Sequence, residues 1–180
     1  MFSLIARVSF YPSLAYNVLM EKISSRDWYN HVDNQVILGA IPLRYKTREL
    51  VAQENVKAVV SLNEEYEVQY VTNSAEEWKQ LGVDYIRFNV VDMFEAPSQD
   101  MLKEGVQFIN RTIEQGGTVY VHCKAGRSRS ATLVGCYLMQ KNLWTPEQAI
   151  SHLKSVRPHV IFTPHKVEAL DLFYKNQIVS

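Results

Sequence analysis

The chain predicts an α/β fold, in which a central, mostly parallel sheet is flanked by helices and a helical layer is built from the last third. Three observations lead there. Short apolar runs of strand length alternate with segments whose apolar residues recur at helical spacing. The last fifty residues read as helix after helix with no strand between them. A chain of 180 residues that is 47% apolar and 21% charged has the material for one folded domain with a real core.

The elements follow in order. "QVILGAIPL" reads as a strand and turn, "TRELVAQEN" as a short helix, and "VKAVVSL" as a buried strand. "SAEEWKQLG" is a helix closed by Gly82, and "VDYIRFNV" is the next strand. "SQDMLKEGVQFINRTIEQGG" is a long helix opened by Ser98 and ended by Gly116 and Gly117. "TVYVHC" is a strand, and "SATLVGCYLMQKN" a helix. In "TPEQAISHLKSV", Thr145, Pro146 and Gln148 form a capping box, and Thr163 and Pro164 open "TPHKVEALDLFYKN".

Residues 1–30 stand apart in composition, and the domain proper is expected over residues 31–180. "MFSLIARVSFYPSLAYNVLM" holds one arginine and no acid. Its uncharged run, residues 8–20, is interrupted by Pro12 and falls short of the roughly 20 residues a spanning helix needs. Two readings stay open: a targeting presequence, or an apolar arm packed on the domain or on a lipid surface. Elsewhere, nineteen basic and nineteen acidic residues cancel, so bulk charge points to neither a nucleic-acid partner nor a polybasic membrane coat. The two cysteines, Cys123 and Cys136, are too few for a disulfide framework, and free thiols fit a reducing compartment.

Chemistry concentrates in "HCKAGRSRS", residues 122–130, between the strand "TVYV" and the helix after it. In an α/β sheet this is where ligands bind. A tight loop containing Gly126 can aim the N–H groups of Lys124, Ala125, Gly126, Arg127 and Ser128 at one point, and the following helix adds the positive end of its dipole. The result is an anion cradle. The same fields favour the thiolate of Cys123, a nucleophile. Arg129, six residues on, brings a planar fork that can hold two phosphate oxygens.

Cys-x5-Arg in this setting resembles the phosphate-binding loop of the cysteine-dependent protein tyrosine and dual-specificity phosphatases. Within that superfamily, "NEEYE", "VDM" and "VHCKAGRSRSAT" together resemble the mitochondrial phosphatases that dephosphorylate phosphatidylglycerophosphate in cardiolipin synthesis. The resemblance spans nearly the whole chain and is weakest over the first thirty residues. It implies a dual-specificity-phosphatase-like fold and hydrolysis of a phosphomonoester through a cysteinyl phosphate. It also implies a phospholipid substrate, met by a monomer in peripheral contact with the matrix side of the mitochondrial inner membrane. A protein-directed or phosphoinositide-directed phosphatase and a non-catalytic phosphate-binding scaffold remain as alternatives, although the scaffold would usually lack the cysteine, the arginine or the acid.

An alkoxide leaves poorly unless it is protonated, so a general acid is needed. Asp92 in "VVDMFEAPS" is the candidate, because its Asp-x4-Pro pattern resembles the acid loop of dual-specificity phosphatases. Asp84 reads instead as a strand-start residue and Asp100 as a first-turn helix acid. Ser130 is expected to donate to the departing thiolate, and His122 to hold the loop backbone. Lys124 and Arg127 add cations suited to a multiply charged head group. Cys136 should be core packing, about 10 Å along the helix from Arg129. No metal or other cofactor is expected, since the five histidines show no ligand spacing. Glu64, Glu65 and Glu67, with Tyr66 between them, follow a strand that ends on the same sheet edge. They are expected to wall the pocket by fixing Lys124, Arg127 or backbone donors, or by accepting from glycerol hydroxyls, with Tyr66 setting its depth.

Overall fold

The computed structural model describes residues 2–24, 26–91 and 95–179, with the backbone alone at residues 2–9 and 22. Five strands form one sheet: β1 (Tyr29–His31), β2 (Val36–Gly39), β3 (Val56–Ser61), β4 (Asp84–Arg87) and β5 (Thr118–His122). Their order is β1-β2-β5-β3-β4, parallel except for β1, which pairs antiparallel with β2 at one edge. The sheet is therefore mostly parallel, as the alternating pattern predicts.

The central strands bury both faces, which is why they read as unbroken apolar runs. Successive side chains point to opposite faces. Val36, Leu38, Ala58, Val60, Val119 and Val121 belong to one core, while Ile37, Val59 and Tyr120 belong to the other. The larger core is closed by α5 (Gln99–Glu114), α6 (Arg129–Asn142), α7 (Pro146–Val156) and α8 (Pro164–Tyr174). The smaller is covered by α2 (Thr47–Ala52) and α4 (Ala75–Gln80), through Leu50 and Trp78. α6 is buried continuously over residues 129–139 and lies at the centre of the helical layer. Cys136 sits there fully buried, and burial pushes its thiol pKa well up, as expected of a packing residue.

Ser98 and Thr145 cap as their sequence signals predict, while Thr163 stands at the N-cap of α8 without a side-chain hydrogen bond. Ser98 Oγ accepts the Met101 N–H at 3.2 Å, and Thr145 with Gln148 forms the reciprocal box at the start of α7. The one-turn helix α3 (Glu65–Val68) and the short strand β1 carry too little periodicity to be read in advance.

The first segment is a helix, α1 (Phe2–Ile23), with Pro12 inside it. Phe10 and Leu14 are buried against Trp28, Ala40, Ile41 and Val68. Burying two such side chains contributes about 1.5–3 kcal/mol each, so the second half of α1 is held on the domain. Among the described residues no helix is long and apolar enough to cross a membrane.

Register brings the functional loops together. Ser61 at the end of β3 and Gly39 at the end of β2 both lie opposite His122 at the end of β5. The connections after β2, β3, β4 and β5 thus leave from one carboxyl edge of the sheet.

Candidate active site

The loop from β5 to α6 is tied down through its carbonyls. His122 O accepts from Leu62 N at 2.9 Å, Cys123 O from His122 Nδ1 at 3.3 Å, and Lys124 O from Ile41 N at 3.2 Å. Arg157 takes the next two: its Nη2 donates to Ala125 O at 3.1 Å and its Nε to Gly126 O at 2.9 Å. Arg127 O accepts from Ile161 N at 2.7 Å, and Ser128 O from Thr132 N and Oγ1. A trans peptide unit points its N–H opposite to its C=O, so carbonyls drawn into the protein turn the amides the other way. The N–H groups of Ala125, Gly126, Arg127 and Ser128 donate to no protein acceptor among the described residues. This is a concave array of donors, built to hold an anion.

Gly126 is obligatory in this loop. Its φ is +64°, and a Cβ there would lie 2.4 Å from the Gly39 carbonyl. His122 is 1% exposed, and burial lowers its pKa to about 3, so the ring is neutral and its Nδ1–H donates to Cys123 O. That is the backbone-holding place expected of it.

Cys123 is 3% exposed, and its Sγ accepts from the Ser130 hydroxyl at 3.2 Å. Arg129 is wholly buried at the start of α6. Its Nη1 donates to Glu67 Oε2 at 2.7 Å and to Val90 O at 2.9 Å, and its Nη2 to Glu67 Oε1 at 3.1 Å. Val90 lies in the connection after β4, two residues before Asp92, so the stretch leading to the expected acid is anchored to the expected phosphate-binding arginine. Asp92 itself lies outside the described residues. Its two rivals sit where the sequence places them, Asp84 at the start of β4 and Asp100 in the first turn of α5.

In the acidic loop after β3 one expected alternative is met, a glutamate holding a backbone donor, but the cation it holds is not one of the two expected. Glu67 is 1% exposed and fixes neither Lys124 nor Arg127; it is the carboxylate partner of Arg129 and also accepts the Glu64 N–H at 2.8 Å. The physical reason is burial: a guanidinium taken wholly out of water requires a hydrogen-bonded counter-charge. Glu65 is mostly exposed and pairs with Arg87, while Glu64 is half-buried at the N-cap of α3. Tyr66 packs edge-on to Phe10 of α1, with ring centroids 5.8 Å apart. Lys124 turns its Nζ over the same Phe10 ring at 5.8 Å.

Beside Cys123 opens a cleft of about 390 Å³. One wall is α1, through Ser13, Tyr16 and Asn17; the other includes Ile161 and the buried Lys166. Tyr16 and Ile161 are both more than half exposed, which gives the cleft an apolar rim. Sequence reasoning missed Arg157, Lys166 and the wall formed by α1. Arg157 caps the C-terminus of α7, where a basic residue reads as a helix-dipole partner, and nothing in its neighbours signals a reach across to the loop. Among the described residues no group of His, Cys, Asp or Glu is arranged to hold a metal ion.

A buried thiol at the focus of a donor-lined loop, with a fixed guanidinium beside it, defines a cysteine-dependent phosphatase. Residues 50–176 match the dual specificity phosphatase catalytic domain, and the chain belongs to that family. It is 47% identical over 174 residues to human phosphatidylglycerophosphatase and protein-tyrosine phosphatase 1, covering 95% of this chain and 87% of the relative. It is 38% identical over 176 residues to the Arabidopsis thaliana phosphatidylglycerophosphate phosphatase PTPMT1, covering 97% of this chain and 51% of that one. The crystal structure of PTPMT1 in complex with PI(5)P superposes with a TM-score of 0.81 at 46% identity, covering 83% of this chain and 96% of that one. The active form of Tk-PTP gives 0.76 at 28% identity, over 83% and 97% of the two chains.

Proposed function

We propose that this phosphatase hydrolyses the phosphomonoester of phosphatidylglycerophosphate to give phosphatidylglycerol and phosphate, as a step in cardiolipin synthesis at the matrix face of the mitochondrial inner membrane. The observation that carries the reading of the site is the outward tethering of every carbonyl from His122 to Ser128. It leaves an amide cradle centred on Cys123. The Cys123 thiolate attacks phosphorus, the S–P bond forms, and the P–O bond to glycerol breaks as Asp92 protonates the leaving oxygen. Arg129 and the loop amides hold the equatorial oxygens throughout. Water then attacks phosphorus and gives its proton to Asp92, while the S–P electrons return to a thiolate stabilised by the Ser130 hydroxyl.

Support for a lipid substrate comes from the relatives, of which two carry phosphatidylglycerophosphate phosphatase activity in their names. The apolar rim of the cleft fits the same reading, because a lipid head group must be presented from a membrane surface. The complex of PTPMT1 with PI(5)P favours a second reading, a phosphoinositide phosphatase. Phosphate release from vesicles containing phosphatidylglycerophosphate, vesicles containing phosphatidylinositol 5-phosphate and a phosphotyrosyl peptide separates the readings. Preference for the first supports the proposal; preference for either of the others overturns it.

A further inference from the structure

A smaller recess adjoins the catalytic cleft and shares Asn17, Ala125 and Arg127 with it. Arg26, Arg157 and His159 also line it. Five sections of chain meet there: the end of α1, the connection after it, the turn after β2, the phosphate loop, and the connection between α7 and α8. The charge is one-sided. Arg26 and Arg127 form no ion pair with a carboxylate among the described residues, and Arg157 spends its hydrogen bonds on main-chain carbonyls and on Asn30. Two acids line the recess. Glu21 is taken by Lys46 at 2.8 Å, while Asp27, among the described residues, accepts only from the neutral Asn30 Nδ2 at 3.0 Å and keeps its charge, so three arginines face one unneutralised carboxylate.

The positive charge of the three arginines registers on their neighbours, and it holds His159 toward its neutral form. Burial, then Arg26, lowers the pKa of Arg127; burial, then Arg26, Arg127 and Arg157, lowers that of His159. Cations gathered with so little compensation are a site for an anion. The shared position of Arg127 says which anion. A group bound there lies next to whatever occupies the Cys123 loop, so it must belong to a ligand with two anionic centres a short linker apart.

We propose that this recess is a second anion subsite, where Arg26, Arg127 and His159 bind the phosphodiester of a substrate whose phosphomonoester lies on the Cys123 loop. The inference rests on the substrate reading above and deepens it. Phosphatidylglycerophosphate carries a phosphodiester one glycerol away from its phosphomonoester, and phosphoinositide monophosphates carry the same pair across an inositol ring. A phosphotyrosyl peptide has no such second phosphate. The subsite thus selects diester-linked phosphomonoesters over phosphoproteins.

Two water-soluble substrates test this without a membrane: glycerophosphoglycerophosphate, which keeps the diester, and glycerol 3-phosphate, which lacks it. In Arg26→Gln and in His159→Gln, the ratio of kcat/KM for the first to that for the second falls about 10-fold, the scale of one lost charge-assisted hydrogen bond. Arg26→Lys keeps the ratio within a few-fold, because the charge remains. Equal losses on both substrates would make these residues supports of the loop, and unchanged ratios would leave the recess without a role in binding; either result overturns the subsite. So does a loss of competitive inhibition by inorganic phosphate in Arg26→Gln as large as the loss on the diester substrate, which would assign Arg26 to the catalytic cradle. Failure of the unaltered protein to prefer phosphatidylglycerophosphate vesicles over a phosphotyrosyl peptide would refute the functional reading instead. A preserved lipid preference with an unchanged ratio would refute the subsite alone.

Discussion

Replacing Glu67 by Gln keeps the shape of the side chain and removes its charge, and the structure sets the size of the effect. Glu67 and Arg129 both have side chains with no exposed surface, joined by contacts of 2.7 and 3.1 Å. Breaking a buried pair by neutralising one partner costs about 3–5 kcal/mol, since the remaining ion stays desolvated without its counter-charge. Gln retains one carbonyl oxygen for Arg129 Nη1 but presents an NH2 group to Nη2, donor against donor. A loss near the lower end, about 3 kcal/mol, is therefore expected in chemical denaturation. Arg129 would then be located mainly by the Val90 carbonyl, and the guanidinium would no longer be held square to the phosphate. With a charge-assisted hydrogen bond worth about 1.5–3 kcal/mol, kcat should fall roughly 10- to 100-fold. The fall should be equal for a small aryl phosphate and for phosphatidylglycerophosphate, because Arg129 serves both. Glu65→Gln, at a carboxylate that is itself mostly exposed, should change stability and rate far less than Glu67→Gln. A Glu67→Gln protein with unchanged denaturation midpoint that loses only the lipid activity would refute the reasoning and make Glu67 a reader of substrate.

Two further outcomes follow from the same geometry. Asp92→Asn should slow hydrolysis of an alkyl phosphate far more than that of an activated aryl phosphate, whose leaving group scarcely needs a proton; equal slowing would place the acid elsewhere. His122 is neutral in the fold with its pKa near 3, while in the unfolded chain it titrates near 6.5, so the unfolded state binds the extra proton between those values and stability falls as pH drops through that window. Between pH 7 and pH 5 this residue alone should remove about 2 kcal/mol, and denaturation of His122→Asn should show a correspondingly flatter acid limb.

The α/β architecture was readable because its strands are buried on both faces and its helices carry caps such as Ser98 and Thr145, signals that are local in the chain. The Cys123 loop was readable for the same reason: nucleophile, Gly126 and Arg129 fall within seven residues. What holds that loop was not. Arg157 reaches Ala125 and Gly126 across about thirty residues of sequence, and Glu67 reaches Arg129 across sixty-two. Such partners are set by which loops leave one edge of the sheet, and strand order fixes that. The run of acids was visible at once, yet its alternation of exposed Glu65 with buried Glu67 depends on the single turn α3, too short to leave a period. Likewise α1 reads as an apolar segment, and only its packing through Phe10 and Leu14 makes it a wall of the cleft.

The central claim is that Cys123 carries the phosphoryl group. Phosphate release from phosphatidylglycerophosphate vesicles by Cys123→Ser, measured beside equilibrium binding of inorganic phosphate to the same protein, tests it most directly. A serine hydroxyl is far less ionised than the thiol, while the amide cradle and Arg129 remain in place, so turnover should vanish and phosphate binding should persist. Near-normal phosphate release by the folded variant would contradict the account.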